Sequence, residues 1–365
     1  RDISEQSRVG FFLSDRELGD GFNRVASLDA RLKLNDNWIT NMQVVGTDTE
    51  PVLGGDPTQG YQRNIQINRV GRTVNTHSHF IETTDNFRTD LGFQNRFFKP
   101  DTSGIHNSLN LNFYPENPNI NSWTAGLFDV YLNDTDGTRI YHQLGPNFEL
   151  NFATTTIGAR FTDYAEILRP KDFIGVISNT RYDYENWQID FSNNTSQTAS
   201  IRASYRQGRA LNLVPTRGAL PYVANTSRVD ISFFWRPIER LQIQNTYFLT
   251  ELENRNSDTK IFTNEIFRSN WNYQFTKELS LRFITQYDKT DSGPATRLED
   301  NENLNFDLLL RYVINPWSAF YVGYNSNQSN FDIVEMEGER ELVVANELRQ
   351  DGDQIFVKFS YLFQR

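Results

Sequence analysis

His77 and His79 stand two residues apart in the stretch "VNTHSHFIET", residues 74 to 83. On an extended strand both imidazoles point to the same side, a spacing that can give two nitrogen ligands to zinc or another borderline metal. Glu82 and Asp85 follow, but no third ligand is evident, and a pair of polar residues facing water explains the same spacing. His106 and His142 are isolated in the sequence. "NDTDGTR" (133 to 139) places Asp134, Asp136 and Gly137 as a calcium loop would, yet lacks the bidentate glutamate and the spacing of an EF-hand. An Asp-Gly hairpin turn accounts for it with less. No G-x-S-x-G nucleophile motif occurs, and Glu299, Asp300 and Glu302 crowd one stretch without the spacing of an acid pair. These residues assign no catalytic centre, metal site or cofactor, and His77 and His79 stay as the metal candidates.

The stretch "NFRTDLGFQNRFFKP" (86 to 100) is of a different kind. Four phenylalanines, Phe87, Phe93, Phe97 and Phe98, are interspersed with Arg88, Asp90 and Arg96, which is unusual for a solvated loop, because exposed apolar loops are a liability. Residues 85 to 104 are expected to fold inward as a plug or constriction, with Arg88 and Arg96 joining a basic ring near Arg31, Arg202 or Arg282. The competing expectation is a cap packed on a rim.

Composition limits what could hold such residues. The 365 residues are 38% hydrophobic and 14% aromatic, enough to fold, while the mean hydropathy is -0.60. No window approaches the roughly 18 consecutive apolar residues of a membrane-spanning helix. Zero cysteines remove disulfides, thiolate metal sites and cysteine nucleophiles together. A net charge of -10 argues against nucleic acid as a partner, since phosphate recognition needs a basic surface. The chain starts at Arg1, shows no signal-peptide pattern, and is expected to be a mature fragment with sequence missing upstream.

Alternation is the dominant pattern. Phe267, Ser269, Trp271, Tyr273 and Phe275 alternate with Arg268, Asn270, Asn272 and Gln274, and after a three-residue break the pattern resumes from Leu279 to Tyr287. Period-two scoring predicts eighteen strands and no amphipathic helix: 6 to 17, 23 to 35, 38 to 49, 61 to 70, 74 to 84, 105 to 115, 121 to 132, 139 to 152, 156 to 166, 180 to 192, 198 to 208, 226 to 236, 241 to 252, 261 to 275, 279 to 289, 302 to 313, 318 to 328 and 354 to 363. Their connections alternate between short turns such as "NDN" (35 to 37) and "TKE" (276 to 278) and mostly longer segments such as 167 to 179 and 209 to 225. That sorting predicts a transmembrane, antiparallel, up-and-down outer-membrane β-barrel of 16 to 18 strands, 18 favoured, as a single domain over residues 1 to 365, with both termini and the short turns on the periplasmic side.

The faces fit lipid better than a soluble core. Aromatics gather near strand ends, as with Trp38, Trp235, Tyr273, Phe275, Tyr312 and Trp317, the placement of interfacial girdles. The terminal stretch "QIFVKFSYLFQR" alternates in the same way and stops just after an aromatic. The aromatic face is therefore expected to meet lipid and the polar face a lumen. Alternation alone selects Arg31, Lys33, Arg202, Arg206, Arg268, Arg282, Asp288, Asp307 and Arg311 as lumen residues, while the aromatic and charged content of the 85 to 104 segment selects Phe87, Arg88, Asp90, Phe93 and Arg96 as constriction residues.

"SRVGFFLSDRELGDGFNRVASLDARLKLNDNW", "FIETTDNFRTDLGFQNRF", "NYQFTKELSLRFITQYDK", "NLNFDLLLRY", "FYVGYNSN" and "VKFSYLFQR" together resemble an uncharacterised family of outer-membrane barrels that often follow a domain similar to carbohydrate-binding module family nine. Phe87, Arg88, Asp90, Gly92, Phe93 and Arg96 carry the most specific part of the resemblance. The family brings no activity assignable to particular residues, and the sugar-binding-like domain is absent from this sequence. The expected function is porin-like passage or docking of a polar solute, a saccharide among them, without a cofactor or catalysis. A plugged barrel anchoring a protein partner in an outer-membrane complex is the alternative, and an outer-membrane hydrolase the third reading.

Overall fold

The computed structural model describes residues 2–91, 101–194, 196–336 and 339–362. They form nineteen strands in one sheet and, among the described residues, no helix. The first nine are β1 (Asp2–Ser4), β2 (Ser7–Leu18), β3 (Gly21–Lys33), β4 (Trp38–Glu50), β5 (Thr58–Arg69), β6 (Val74–Thr83), β7 (Thr102–Phe113), β8 (Ser122–Asp134) and β9 (Arg139–Asn151). The others are β10 (Thr155–Leu168), β11 (Thr180–Asn193), β12 (Ala199–Asn212), β13 (Tyr222–Ile238), β14 (Leu241–Glu253), β15 (Lys260–Gln274), β16 (Leu279–Ser292), β17 (Asn301–Asn315), β18 (Ser318–Met336) and β19 (Glu339–Tyr361).

Strands β2 to β19 correspond one for one to the eighteen predicted from alternation. The expected count of 16 to 18 is corrected by β1, whose three residues fold back on β2 with Asp2 opposite Arg8; so short a strand carries no readable period. β18 and β19 also run farther than expected. Their register shifts between Asn327 and Gln328 and between Ser329 and Phe331, and such an irregularity resets the alternation that a sequence reading follows.

The chain divides into two compact units, Arg1–Leu150 with Arg160–Glu185, and Asn151–Ala159 with Asn186–Arg365. In the second unit the register from β12 to β19 is antiparallel throughout and keeps the apolar residues in common rows. Trp235, Ile243, Trp271, Phe283, Leu308, Tyr324 and Ile355 form one such row across seven strands. On β16 the apolar positions run from Leu279 to Tyr287. Those eight steps cover about 27 Å of strand and about 20 Å of height at the usual tilt, close to a band of about 25 Å. Lys289 and Glu302 stand opposite each other beyond this band. Loop segments 213–221 and 293–300 meet where Thr296 Oγ1 donates to the Val214 carbonyl at 2.6 Å, beside a buried cluster of Ala224, Leu252 and Ile261.

In the first unit, β2 to β8 pair in the same way. The apolar face carries Val9, Ala30, Met42, Ile65, Phe80, Ile105 and Tyr131 in one row. It is less uniform than in the second unit: Arg63 and Glu82 pair across it at 3.5 Å, and Ser78 donates to Asn107 at 2.7 Å. The short turns are built from side-chain acceptors close in sequence. Asn35 Oδ1 accepts from the backbone of Asn37 and Trp38, and Thr276 Oγ1 from that of Glu278 and Leu279, which closes each turn without a long loop.

Candidate functional site

The polar face of the second unit is a ladder of amides, hydroxyls and guanidiniums. One row runs Arg202, Ser232, Thr246, Arg268, Gln286, Asn305, Asn327 from β12 to β18. The adjacent rows hold Asp288 with Asn303, then Asp307 between Ile284 and Asn325, and further on Arg282 opposite Asn272 and Arg311 opposite Tyr321. Seven of the expected lumen residues, Arg202, Arg206, Arg268, Arg282, Asp288, Asp307 and Arg311, therefore share this face. Arg202, Arg268, Arg282 and Arg311 are exposed on it. The acids have amide partners: Asn264 donates to Asp288 at 3.1 Å and Asn325 to Asp307 at 2.6 Å. Arg206 grips Gln188 Oε1 with two N–H groups, at 3.1 and 2.7 Å, so its charge is already engaged by the wall.

In the first unit a loop segment lies on the corresponding face. Residues 84 to 90 turn back over β2 to β5. Phe87 is buried at 6% exposure, its backbone so close to Gly60 that any side chain there would come within 2.4 Å of Phe87 Cα. Asn23 Nδ2 donates to the Arg88 carbonyl at 2.9 Å and Asn23 Oδ1 accepts from the Asp90 N–H at 3.0 Å. Thr47 Oγ1 accepts from the Arg88 N–H at 3.4 Å. Arg16 pairs with Asp90 at 2.8 Å and Arg88 with the same carboxylate at 2.5 Å. By register, Arg16, Asn23, Thr47 and Gly60 all belong to the face opposite Phe11, Leu28 and Val44.

None of these pinning residues was selected from sequence. They lie 41 to 74 residues from their partners, and an Asn or Thr within an alternating strand carries no local signal. Of the residues expected to form a basic ring, Arg88 and Arg31 do not meet. Arg31 lies eight residues along β3 from Asn23, about 26 Å at strand rise, and Arg88 faces Asp90 instead. Arg31 stands opposite Arg8 and Asn41, and Lys33 reaches Asp36 of the neighbouring turn at 3.6 Å. Phe93 and Arg96 lie outside the described residues.

His77 and His79 share the polar face with His106, which pairs with His79 across β6 and β7. The His77 ring centroid is 6.0 Å from that of His79 and 5.1 Å from that of His106. Sequence reading missed His106 because only the register brings it in. His77 Nδ1 meets Asn68 Oδ1 at 2.6 Å and His79 Nε2 meets Asn64 Oδ1 at 2.9 Å. Among the described residues, no group of three or more His, Asp or Glu is arranged to hold a metal ion. The stretch around Asp134 and Asp136 is a hairpin turn: Gly137 takes a φ of 84°, and Asp136 Oδ1 accepts from the Thr138 N–H at 2.7 Å. Asp134 turns instead to Arg169, at 3.0 Å, and Arg169 forms a fork with Asp172 at 2.8 and 2.9 Å. Burial opposes the charge of Arg169, but Asp172 and Asp134 more than offset it and raise its pKa. This buried pair fastens the 169–179 loop to the end of β8.

No family model and no curated protein matches the sequence. Among solved structures, the copper transporter OprC superposes with a TM-score of 0.57 at 10% identity, over 98% of this chain and 68% of that one. The FrpB iron transporter of Neisseria meningitidis (F5-1 variant) gives 0.54 at 12% identity, over 90% of this chain and 63% of the transporter. OmpT, an outer membrane protein of Vibrio cholerae, covers 98% of both chains at 16% identity with a TM-score of 0.40. At these identities the likeness carries the fold alone. The chain has the antiparallel, up-and-down fold of a bacterial outer-membrane β-barrel, and its apolar face is the one that lipid covers.

Proposed function

We propose that this outer-membrane barrel passes or docks a polar solute along its polar face, and that the segment from residue 84 narrows the way. The observation that carries the reading is the anchoring of residues 84 to 90 on that face by Asn23, Thr47 and Arg16, rather than above the strand ends. A segment so placed narrows the polar face of the first unit, and the polar face of the second unit, by itself, offers exposed guanidiniums and amides to a solute. Arg202, Arg268, Arg282 and Arg311 are the residues assigned to that wall, with Asp288 and Asp307 beside them. A saccharide suits a wall of neutral donors and acceptors, in keeping with the resemblance to barrels that follow a sugar-binding-like domain. The reading assigns no catalysis to the chain.

A plugged barrel that anchors a partner is the second reading. One observation favours it: Ile81, Phe128, Val130 and Leu132 lie on the polar face of β6 and β8 and are all buried, so part of the first unit is filled. Planar-bilayer recording distinguishes the two. The folded protein should give single-channel current, and deletion of residues 88 to 98 should raise conductance while leaving a folded barrel. A folded protein without current, before and after the deletion, would overturn passage and leave the anchor as the standing reading.

A further inference from the structure

On the polar face of β16 to β19, aromatic and cationic groups meet where the wall is otherwise amide. Phe356 lies across Gly323 of the neighbouring strand; a Cβ at Gly323 would stand 2.2 Å from its ring, so only glycine lets the ring sit this close to the backbone. Phe356 nevertheless keeps 39% of its surface exposed. The same row continues to Leu309 and Arg282. In the next row towards the short turns, Arg311 stands opposite Tyr321 and Tyr321 opposite Lys358, with Lys358 Nζ 6.0 Å from the Tyr321 ring centroid. In the row on the other side, Asp307, Asn325 and Gln354 follow one another, and Asn325 Nδ2 already binds the Asp307 carboxylate at 2.6 Å.

Three cations, Arg282, Arg311 and Lys358, thus surround an exposed ring with one amide-bound acid, in a chain whose net charge is -10. We propose that this patch is a binding subsite for a carboxylated saccharide, a uronic-acid oligomer. The proposal rests on the polar-solute reading above and names its substrate class. The C–H face of a sugar ring packs on Phe356, the hydroxyls take Asn325 and Gln354, and each guanidinium offers a planar fork to a carboxylate. Four strands and three rows give a footprint of about 14 by 13 Å, that of a short oligomer rather than a single sugar. A neutral sugar would leave the cations unused, and a simple polyanion would leave the ring unused. Phe356 also shields Gly323, a purely structural service that leucine could render as well.

The test is calorimetric titration of the detergent-folded protein with trigalacturonate, maltotriose and citrate, beside bilayer recording with trigalacturonate added. Saturable trigalacturonate binding is expected, at least tenfold tighter than either control. It should weaken at least tenfold in the Arg282→Gln/Arg311→Gln double variant and in Phe356→Leu, and stay unchanged in Lys277→Gln on an exposed short turn. No saturable binding, equal binding of citrate, or full affinity in Phe356→Leu would overturn the proposal. Current without binding or block removes the subsite and leaves passage standing; binding without current keeps the subsite and removes passage.

Discussion

Asn23 satisfies three groups at once, the Thr49 hydroxyl, the Arg88 carbonyl and the Asp90 N–H, while remaining almost fully buried. Removing such a side chain leaves part-buried backbone groups without this partner, at up to about 1–3 kcal/mol each. Asn23→Ala should therefore free the segment from the wall without unfolding the strands, and single-channel conductance should rise. Conductance equal to wild type would mean that the segment does not limit passage. Asp300 is a second residue with a measurable consequence. The Ser292 hydroxyl and N–H donate to its carboxylate at 2.6 and 2.7 Å, and these two bonds hold its pKa below the usual carboxylate range. A depressed folded pKa stabilises the docked loop above the ordinary aspartate value of about 3.9 and is lost as pH falls through the folded value. Amide exchange across residues 293 to 300, corrected for intrinsic rates, should accelerate on acidification below that range, and Ser292→Ala should blunt the change. Exchange that ignores pH would remove Asp300 from this role.

At the scale of the element, the unit of design is the row of cross-strand neighbours. Phe283 stands between Trp271 and Leu308 on the apolar face, and its ring stacks with Phe306 at 6.3 Å. Gln286, three residues on, stands between Arg268 and Asn305 on the polar face. Phe283→Arg should cost about 2–4 kcal/mol of folding into bilayers if it sits near the midplane, whereas Gln286→Arg should be tolerated. Similar losses in both variants, measured by refolding titration, would mean that the two faces are not differently solvated. The 169–179 loop is held by a different device, a fork between Arg169 and Asp172 with Asp134 behind it. Breaking a buried pair from one side leaves an uncompensated charge. Arg169→Ala should thus expose this loop to protease while the strands resist.

At the scale of the whole molecule, a mean hydropathy of -0.60 and, among the described residues, the absence of any helix long and apolar enough to cross a membrane coexist with an outer-membrane fold. A barrel pairs every apolar residue with a polar neighbour, so the average cancels while the faces do not. The protein should remain in the pellet when outer membranes are washed with alkaline carbonate. Release into the supernatant would place it on the membrane rather than across it.

Period two by itself determined the fold class, eighteen of the strands and the face of each lumen candidate, because alternation is local and one slipped residue would invert a whole strand. Arg268, Arg282 and Arg311 needed no tertiary information to be placed on one side. What alternation leaves open is which strands' residues meet across a row and where a segment without period folds. His106 joined His77 and His79 only through the register of β6 with β7, and Phe356 found Gly323 only through that of β18 with β19. Residues 84 to 90 were recognisable as unusual from their phenylalanines and arginines, but their position on the wall depends on Asn23, Thr47 and Arg16, contacts that exist only after three distant strands have paired.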